Sequence, residues 1–260
     1  MFAQREPHGG IMNFIMSRTA WYFTIGGVVF LIFLNELLRG YFSPSAFSAY
    51  RKTVRSTPYG RFFILLAAAT IAALCLDPIL LGWVQAIQHP AFLTVLRFGA
   101  WFGAKYNLWF IVIGLYVTLA LGGNKKGARF CFSTLISLVI SVALSFVEKR
   151  AFLRARPNMD LGSLSFFNLD GLLHGKSSFQ SFPSGDVAVA VGAAAFLFYA
   201  IKNRYVRWAV LMIPFVTSLS RMSLDRHWPS DTVFALGSGL IAALLVWQYH
   251  KALSDAAAKA

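Results

Sequence analysis

Residues 182–201 read FPSGDVAVAVGAAAFLFYAI. Four turn-forming or polar positions, Pro183 to Asp186, lead into fifteen residues without a charge. Proline and glycine punctuate the start, and the apolar stretch is too long and too uniform for an ordinary strand. It reads as a helix buried on all sides or set in a bilayer. Similar runs follow and precede it: Ala20–Leu38, Phe62–Leu81, Asn107–Leu121, Phe130–Val147, Tyr205–Leu219 and Thr232–Tyr249. Several approach the roughly 20 residues that cross a membrane, and the shorter ones borrow flanking residues. Over the 260 residues, 57% are hydrophobic, only 13% are charged and the mean hydropathy is +0.61. A soluble globular domain carries about a quarter of its residues as charge. An ordinary soluble domain, a disordered chain and a disulfide scaffold are therefore excluded.

The expected architecture is all-α: a polytopic integral membrane helical bundle. Residues 1–61 are read as an N-terminal hydrophobic helix plus a basic interfacial segment (Arg39–Arg61), residues 62–250 as the membrane core, and 251–260 as a cytoplasmic tail. Ala20–Leu38 begins too deep and runs too long for a cleaved leader. It reads either as a seventh span or as an interfacial or re-entrant element. Asp77-Pro78 predicts that the helix of the second run stops near Leu76. Ile79–Tyr106, with Trp83, Phe92 and Leu96 at helical spacing, predicts a helix lying along the interface. Cys75 and Cys131 lie inside apolar runs and read as packing residues.

The net charge of +14 would suggest nucleic acid in a soluble protein. Here it records topology. Gly122–Arg129 and Lys202–Arg207 are short and basic, and the positive-inside rule places them, with the tail after Tyr249, in the cytoplasm. Glu148–Asp186 and Ser220–Asp231 then share the opposite face, so no nucleic-acid partner is expected.

Three polar clusters lie on that face. Lys149 and Arg156-Pro157 are seven residues apart, close to two helical turns, and a Lys–Arg pair at a membrane boundary suits a phosphate. Pro183-Ser184-Gly185-Asp186 opens a helix whose first amides, with the dipole, favour an anion. His227 and Asp231 are four apart, so a carboxylate fixes the imidazole tautomer and leaves the other nitrogen as a nucleophile. Each cluster has a structural reading as well: snorkelling cations, a capped helix start, a buried ion pair bracing two helices.

In order, the pattern is Lys-x6-Arg-Pro, Pro-Ser-Gly, then Ser-Arg-x5-His-x3-Asp, each at a span boundary. With this pattern the chain resembles the type 2 phosphatidic acid phosphatase (PAP2) superfamily of membrane lipid phosphatases, over about Phe62–Tyr249. The resemblance implies a six-helix core, with Lys149, Arg156, Ser184, Gly185 and Arg221 binding a lipid phosphate. It implies His227 as a nucleophile that forms a phosphohistidine and Asp231 as the residue that orients it. It implies hydrolysis of a lipid phosphomonoester or pyrophosphate, no cofactor and no metal, at the periplasmic side of a bacterial inner membrane. The family's second motif ends in a histidine that protonates the leaving group; here Asp186 stands in its place. Three outcomes follow: Asp186 is still the acid; the substrate has a leaving group that needs no proton, such as a prenyl diphosphate or a lipid A-type anomeric phosphate; or hydrolysis is lost and the protein binds or transports an anionic lipid. A lipid acceptor in place of water would make the same site a phosphotransferase. His174 and Lys176, in the loop before the second motif, read as solvated or as headgroup contacts, and Asp225–Arg226 as a local pair.

Overall fold

The run that follows the Pro-Ser-Gly turn becomes the most enclosed helix of the protein. A computed structural model describes residues 26–103, 105–174 and 177–259. Among them the regular elements are helices: α1 Gly26–Leu38, α2 Pro44–Ser56, α3 Tyr59–Ala86, α4 Pro90–Phe102, α5 Lys105–Leu121, α6 Lys125–Phe152, α7 Leu169–His174, α8 Gly185–Ala200, α9 Arg204–Ser223 and α10 Pro229–Ala257, with single 3₁₀ turns at Pro157–Met159 and Ser177–Phe179. Three stretches, Tyr59–Ala86, Lys125–Met159 and Pro229–Ala257, are long and apolar enough to cross a membrane. The protein is an integral membrane helical bundle.

In α8 every residue from Val187 to Phe196 is buried. Its side chains are small because its neighbours come close. A Cβ added to Gly192 would sit 2.4 Å from Ser141 Oγ of α6, and one added to Gly239 of α10 would sit 2.3 Å from the Ala188 carbonyl oxygen. Lipid tails are as apolar as leucine, so helices in a bilayer gain from close van der Waals approach rather than from hydrophobic burial, and small residues permit it. Val187, Ala188, Val191, Ala195 and Phe196 meet Ala235, Ala243 and Val246 of α10 in one core. Around this pair stand α6, α9 and α3. With sixteen residues, α8 is about 24 Å long, less than the ~30 Å hydrocarbon layer. Both of its ends therefore cannot reach headgroup depth at once, and the Pro-Ser-Gly motif marks its N-terminal end.

The helices alternate in direction. Tyr59, at the start of α3, bonds Gln248 near the end of α10 (3.0 Å), whereas Asp77 of α3 bonds Ser230 at the start of α10. The C-terminal ends of α3, α6 and α9 and the N-terminal ends of α8 and α10 therefore share one side. Lys125, Lys126, Lys202 and Arg204 stand at the other. There α2, which carries Arg51, Lys52 and Arg55, packs on α10 through Tyr50 and Tyr249, whose rings meet edge to face at 5.6 Å.

Residues up to Phe42 form a unit of their own. Its helix α1 ends in a glycine cap: Gly40 adopts φ +74°, its N–H donates to the Leu37 carbonyl, and Tyr41 N–H donates to that of Glu36. This is the left-handed terminus that glycine favours. Residues 20–25 of the first apolar run lie outside the described residues.

Four expectations need correction. Helix α3 does not stop at Leu76 but runs through Pro78 to Ala86. Proline removes one backbone hydrogen bond, and membrane helices tolerate this where neighbouring helices compensate. Helix continuity also splits the expected interfacial helix Ile79–Tyr106: its first part, with Trp83, belongs to α3, and α4 starts afresh at Pro90, capped by the His89 side chain. Cys131 is buried as expected, but Cys75 is exposed on α3. Finally, α10 continues to Ala257, so most of the expected tail is helix.

Candidate functional site

Helix α6 ends at Phe152 because Leu153 turns left-handed, with φ +42°. Arg156 therefore does not continue the helix that carries Lys149, as the seven-residue spacing suggested. It lies in extended backbone at the start of a 3₁₀ turn, tied by its N–H to the Ser178 carbonyl at 2.9 Å. The chain folds back, so the two cations still line one cleft of about 320 Å³, together with Ser145, Gly185, Asp186 and His227. Lys149 Nζ donates to the Gln180 carbonyl. Arg156 Nε and Ser145 Oγ are buried without a hydrogen-bond partner. Two such donors in a cleft wall are expensive unless something fills them, and an anion would.

Pro183 precedes the helix instead of starting it: Ser184 is the N-cap and Gly185 the first residue of α8. The Ser184 amide is already bonded to the Asp231 carbonyl (3.1 Å), and Ser184 Oγ is buried and unpartnered. The first-turn amides, from Gly185 onward, have no carbonyl a turn below them. A Cβ on Gly185 would reach only ordinary contact, 3.6 Å from Lys149 Cε. Glycine there keeps the amide edge of the cleft low without being sterically required.

His227 lies between α9 and α10 and is 4% exposed. Its Nδ1 is 2.8 Å from the Ser181 carbonyl oxygen and 3.5 Å from Asp231 Oδ2. A carbonyl only accepts, so Nδ1 carries the proton and Nε2 keeps its lone pair. The sequence assigned this task to Asp231 alone, whereas a backbone carbonyl shares it. Burial pushes the imidazole down to about 4; Asp231 opposes the shift, and Lys149 and Arg156 reinforce it. At neutral pH the ring is neutral, as a nucleophile must be. Its response to both cations also places it within their field.

Behind Asp231 stands a buried network that sequence reasoning missed. Arg154, Asp77 and Asp231 are each 0% exposed. Arg154 Nη1 donates to Ser230 Oγ (2.7 Å) and Asp231 Oδ1, Nη2 to Asp77 Oδ2 and the Ser163 carbonyl, and Nε to that same carbonyl (2.9 Å). All five guanidinium donors are thus directed at oxygen. Asp77 also accepts from the Ser230 amide and hydroxyl. The second Asp231 oxygen accepts from Ser181 Oγ and the Trp228 amide. A carboxylate in the middle of an apolar helix is costly enough to be suspected of function by default. That signal was available at Asp77, where the following proline drew the reading toward a helix end. Arg154 had no signal to separate it from Arg150 and Arg156.

Arg221, near the end of α9, places Nε 3.2 Å from Asp186 Oδ2 and donates from Nη2 to the Ala100 carbonyl (3.2 Å). Asp186 thus faces a guanidinium at the cleft edge. Two further carboxylates have partners of their own. Glu148 accepts from Ser238 Oγ of α10 at 2.8 Å, while Asp225 accepts from Gln85 and not from Arg226. The His174 side chain and Lys176 lie outside the described residues. Among those described, no group of His, Cys, Asp and Glu is arranged to hold a metal.

A lipid A 1-phosphatase of Rhizobium johnstonii is 35% identical over 111 residues, 42% of this chain and 43% of that protein. One of Rhizobium etli is 34% identical over 105 residues, 40% and 43% respectively. The chain thus matches less than half the length of these relatives. Its fold is like that of the crystal structure of Aquifex aeolicus LpxE (TM-score 0.52, 20% identity, 66% of this chain and 94% of that one). It is also like that of a transmembrane PAP2-type phosphatidylglycerolphosphate phosphatase from Bacillus subtilis (0.54, 22%, 71% and 90%). The PAP2 superfamily model matches residues 126–255, half of the chain and all three motifs. This chain belongs to the PAP2 superfamily.

Proposed function

We propose that the protein is a membrane lipid phosphatase whose substrate carries an anomeric phosphate or a diphosphate, with a lipid A 1-phosphate as the first candidate. The observation that carries the reading is the hydrogen bond from His227 Nδ1 to the Ser181 carbonyl, on the wall of a cleft shared with Lys149 and Arg156. It leaves Nε2 as a neutral nucleophile facing the place where a phosphoryl group would be held.

In this reading the Nε2 lone pair attacks phosphorus, the bond from phosphorus to the lipid-linked oxygen breaks, and that oxygen leaves with the electron pair. Water then attacks the phosphohistidine, releasing inorganic phosphate and restoring the imidazole. Lys149, Arg156, Arg221 and the first amides of α8 balance the charge that builds on the phosphoryl oxygens. Asp231, held by Arg154, Ser181 and the Trp228 amide, stabilises the imidazolium as it forms. Asp186, in the place of the family's histidine, is engaged by Arg221 in an ion pair (3.2 Å) and is not assigned the role of proton donor. A leaving oxygen that is already a weak base, on an anomeric carbon or a second phosphate, does not need one. The lipid A 1-phosphatases of Rhizobium point the same way. Basic residues at the opposite end of the bundle support a periplasmic site in a bacterial inner membrane. Residues 62–250 would carry the activity, with 1–61 outside it.

Phosphate release from lipid A, a prenyl diphosphate, phosphatidylglycerol phosphate and phosphatidic acid in detergent tests the reading. Lipid A or the diphosphate should be turned over fastest. A strong preference for phosphatidic acid would contradict the substrate class, and equal release by wild type and His227→Ala would contradict the chemistry.

A further inference from the structure

A second cavity, of about 410 Å³, opens between the end of α3, α4 and the end of α9. Arg221 reaches from the proposed catalytic cleft to this cavity: Nε lies beside Asp186, which lines the cleft, while Nη2 bonds the carbonyl of Ala100, which lines the cavity. A phosphate held by Arg221 would thus have its next covalent neighbour at the mouth of this second space.

The chemistry of the lining is distinctive. Gln85, Gln88, Arg97, Ser220, Ser223 and Asp225 supply two amides, two hydroxyls, one cation and one carboxylate, set among aliphatic side chains of α3 and α4. The charges cancel. Gln85 already holds Asp225, and Gln88 donates to the Gln85 carbonyl, so the polar wall is pre-arranged. Ser220 Oγ is buried, with the residue 1% exposed, and has no hydrogen-bond partner. A buried hydroxyl left unmade costs about 1–3 kcal/mol, which a ligand hydroxyl would recover. The volume falls within the range of small-molecule sites.

The cavity at the other end of the bundle shows the contrast. It is lined by Lys125, Lys126, Arg129 and His250 with no carboxylate, a composition suited to an anion. The cavity beside Arg221 suits an uncharged ligand with many hydroxyl and amide groups.

We infer that this cavity is a headgroup subsite that takes the glycosyl part of a phosphorylated glycolipid, next to the phosphate site. The inference rests on the phosphatase reading for its neighbour, and it is tested by binding so that the two can fail separately. The full-length His227→Ala protein, in detergent, is titrated with two lipids bearing one phosphate each: a 1-phosphorylated lipid A and dioleoyl phosphatidic acid. The glycolipid should bind at least about tenfold tighter, the equivalent of one or two added hydrogen bonds. Adding Gln88→Ala with Arg97→Ala, or separately Leu93→Trp to fill the space, should bring it to within about threefold of phosphatidic acid, whose own affinity stays unchanged. Thermal melting confirms that each variant is folded. Equal affinity for both lipids before any cavity change, or an advantage that survives both variants, overturns the inference. Phosphate release by protein with His227 intact reports on hydrolysis alone: its absence with the binding preference intact ends the phosphatase reading and leaves the subsite standing.

Discussion

Two histidines sit among cations at opposite ends of the same helices. His227 precedes α10 and shares a cleft with Lys149 and Arg156; His250 lies near the end of α10 and shares a cavity with Lys125, Lys126 and Arg129. Each has a fixed Nδ1, on the Ser181 carbonyl in one case and Ser133 Oγ (2.8 Å) in the other. What differs is behind the ring. His227 has a buried carboxylate anchored by an arginine, and its cleft begins at a helix N-terminus with open amides. His250 is stacked on Trp247 and flanked by Phe130 and Phe196. A histidine near cations is therefore no sign of chemistry. A histidine whose positive product is stabilised in advance is one.

The comparison breaks first at the imidazoles. His227→Ala should lower phosphate release by about 10⁴-fold or more, as losses of nucleophilic machinery do, whereas His250→Ala should stay within about threefold. Comparable losses at both ends would show that the anchored carboxylate is irrelevant. Next comes the anchor. Arg154→Met leaves Asp77 and Asp231 buried together without their shared counter-charge and should cost about 3–5 kcal/mol in denaturant unfolding. Restoring the original net charge of the cluster with Asp77→Leu in the same chain should recover part of that loss. Asp231→Asn should lower kcat by about 10²-fold, less than the ~10⁴ seen where a carboxylate alone sets the tautomer, because the Ser181 carbonyl still holds Nδ1. A loss as large as that for His227→Ala would give the whole task back to the carboxylate.

Smaller effects sharpen the same contrast. With its pKa pushed down to about 4, the His227 imidazole remains neutral well below the ordinary histidine range, so kcat/KM should keep its acidic limb below about pH 5. A limb near 6.5 would mean that the ring is not desolvated. The sign for stability agrees: between the unfolded value of 6.5 and about 4 the unfolded chain binds the proton and the folded one does not, so stability falls as pH falls through that window. The smallest change concerns Asp186. Replacing it with asparagine frees Arg221 from this carboxylate, and inhibition by orthovanadate should tighten about two- to fivefold, a half-buried ion pair at the cleft edge being worth about 1 kcal/mol. A loss of kcat beyond about tenfold would instead mark Asp186 as the acid.

Much of this was legible from composition and order. Fifteen uncharged residues after Pro-Ser-Gly-Asp read as a helix shielded from water, and short basic connections read as lying on one side, whatever the neighbours are. The motif residues stood out because their types and chain spacing follow the pattern of the family to which the chain belongs. Local rules failed where a distant segment changed the answer. The expected break at Pro78 assumed a helix without neighbours, and the shared helical face of Lys149 and Arg156 assumed that no left-handed residue lay between them.

The chain order of its residues alone determined that this protein lives in a membrane and that Lys149, Arg156, Arg221 and His227 belong to one side of it, because hydropathy and charge act residue by residue. Only the tertiary structure decided that Arg154 lies between Asp77 and Asp231, that a backbone carbonyl orients His227, and that a neutral polar cavity adjoins the cleft. The first two depend on atoms 46 to 153 residues apart meeting within 3 Å, a distance that no pattern along the chain encodes.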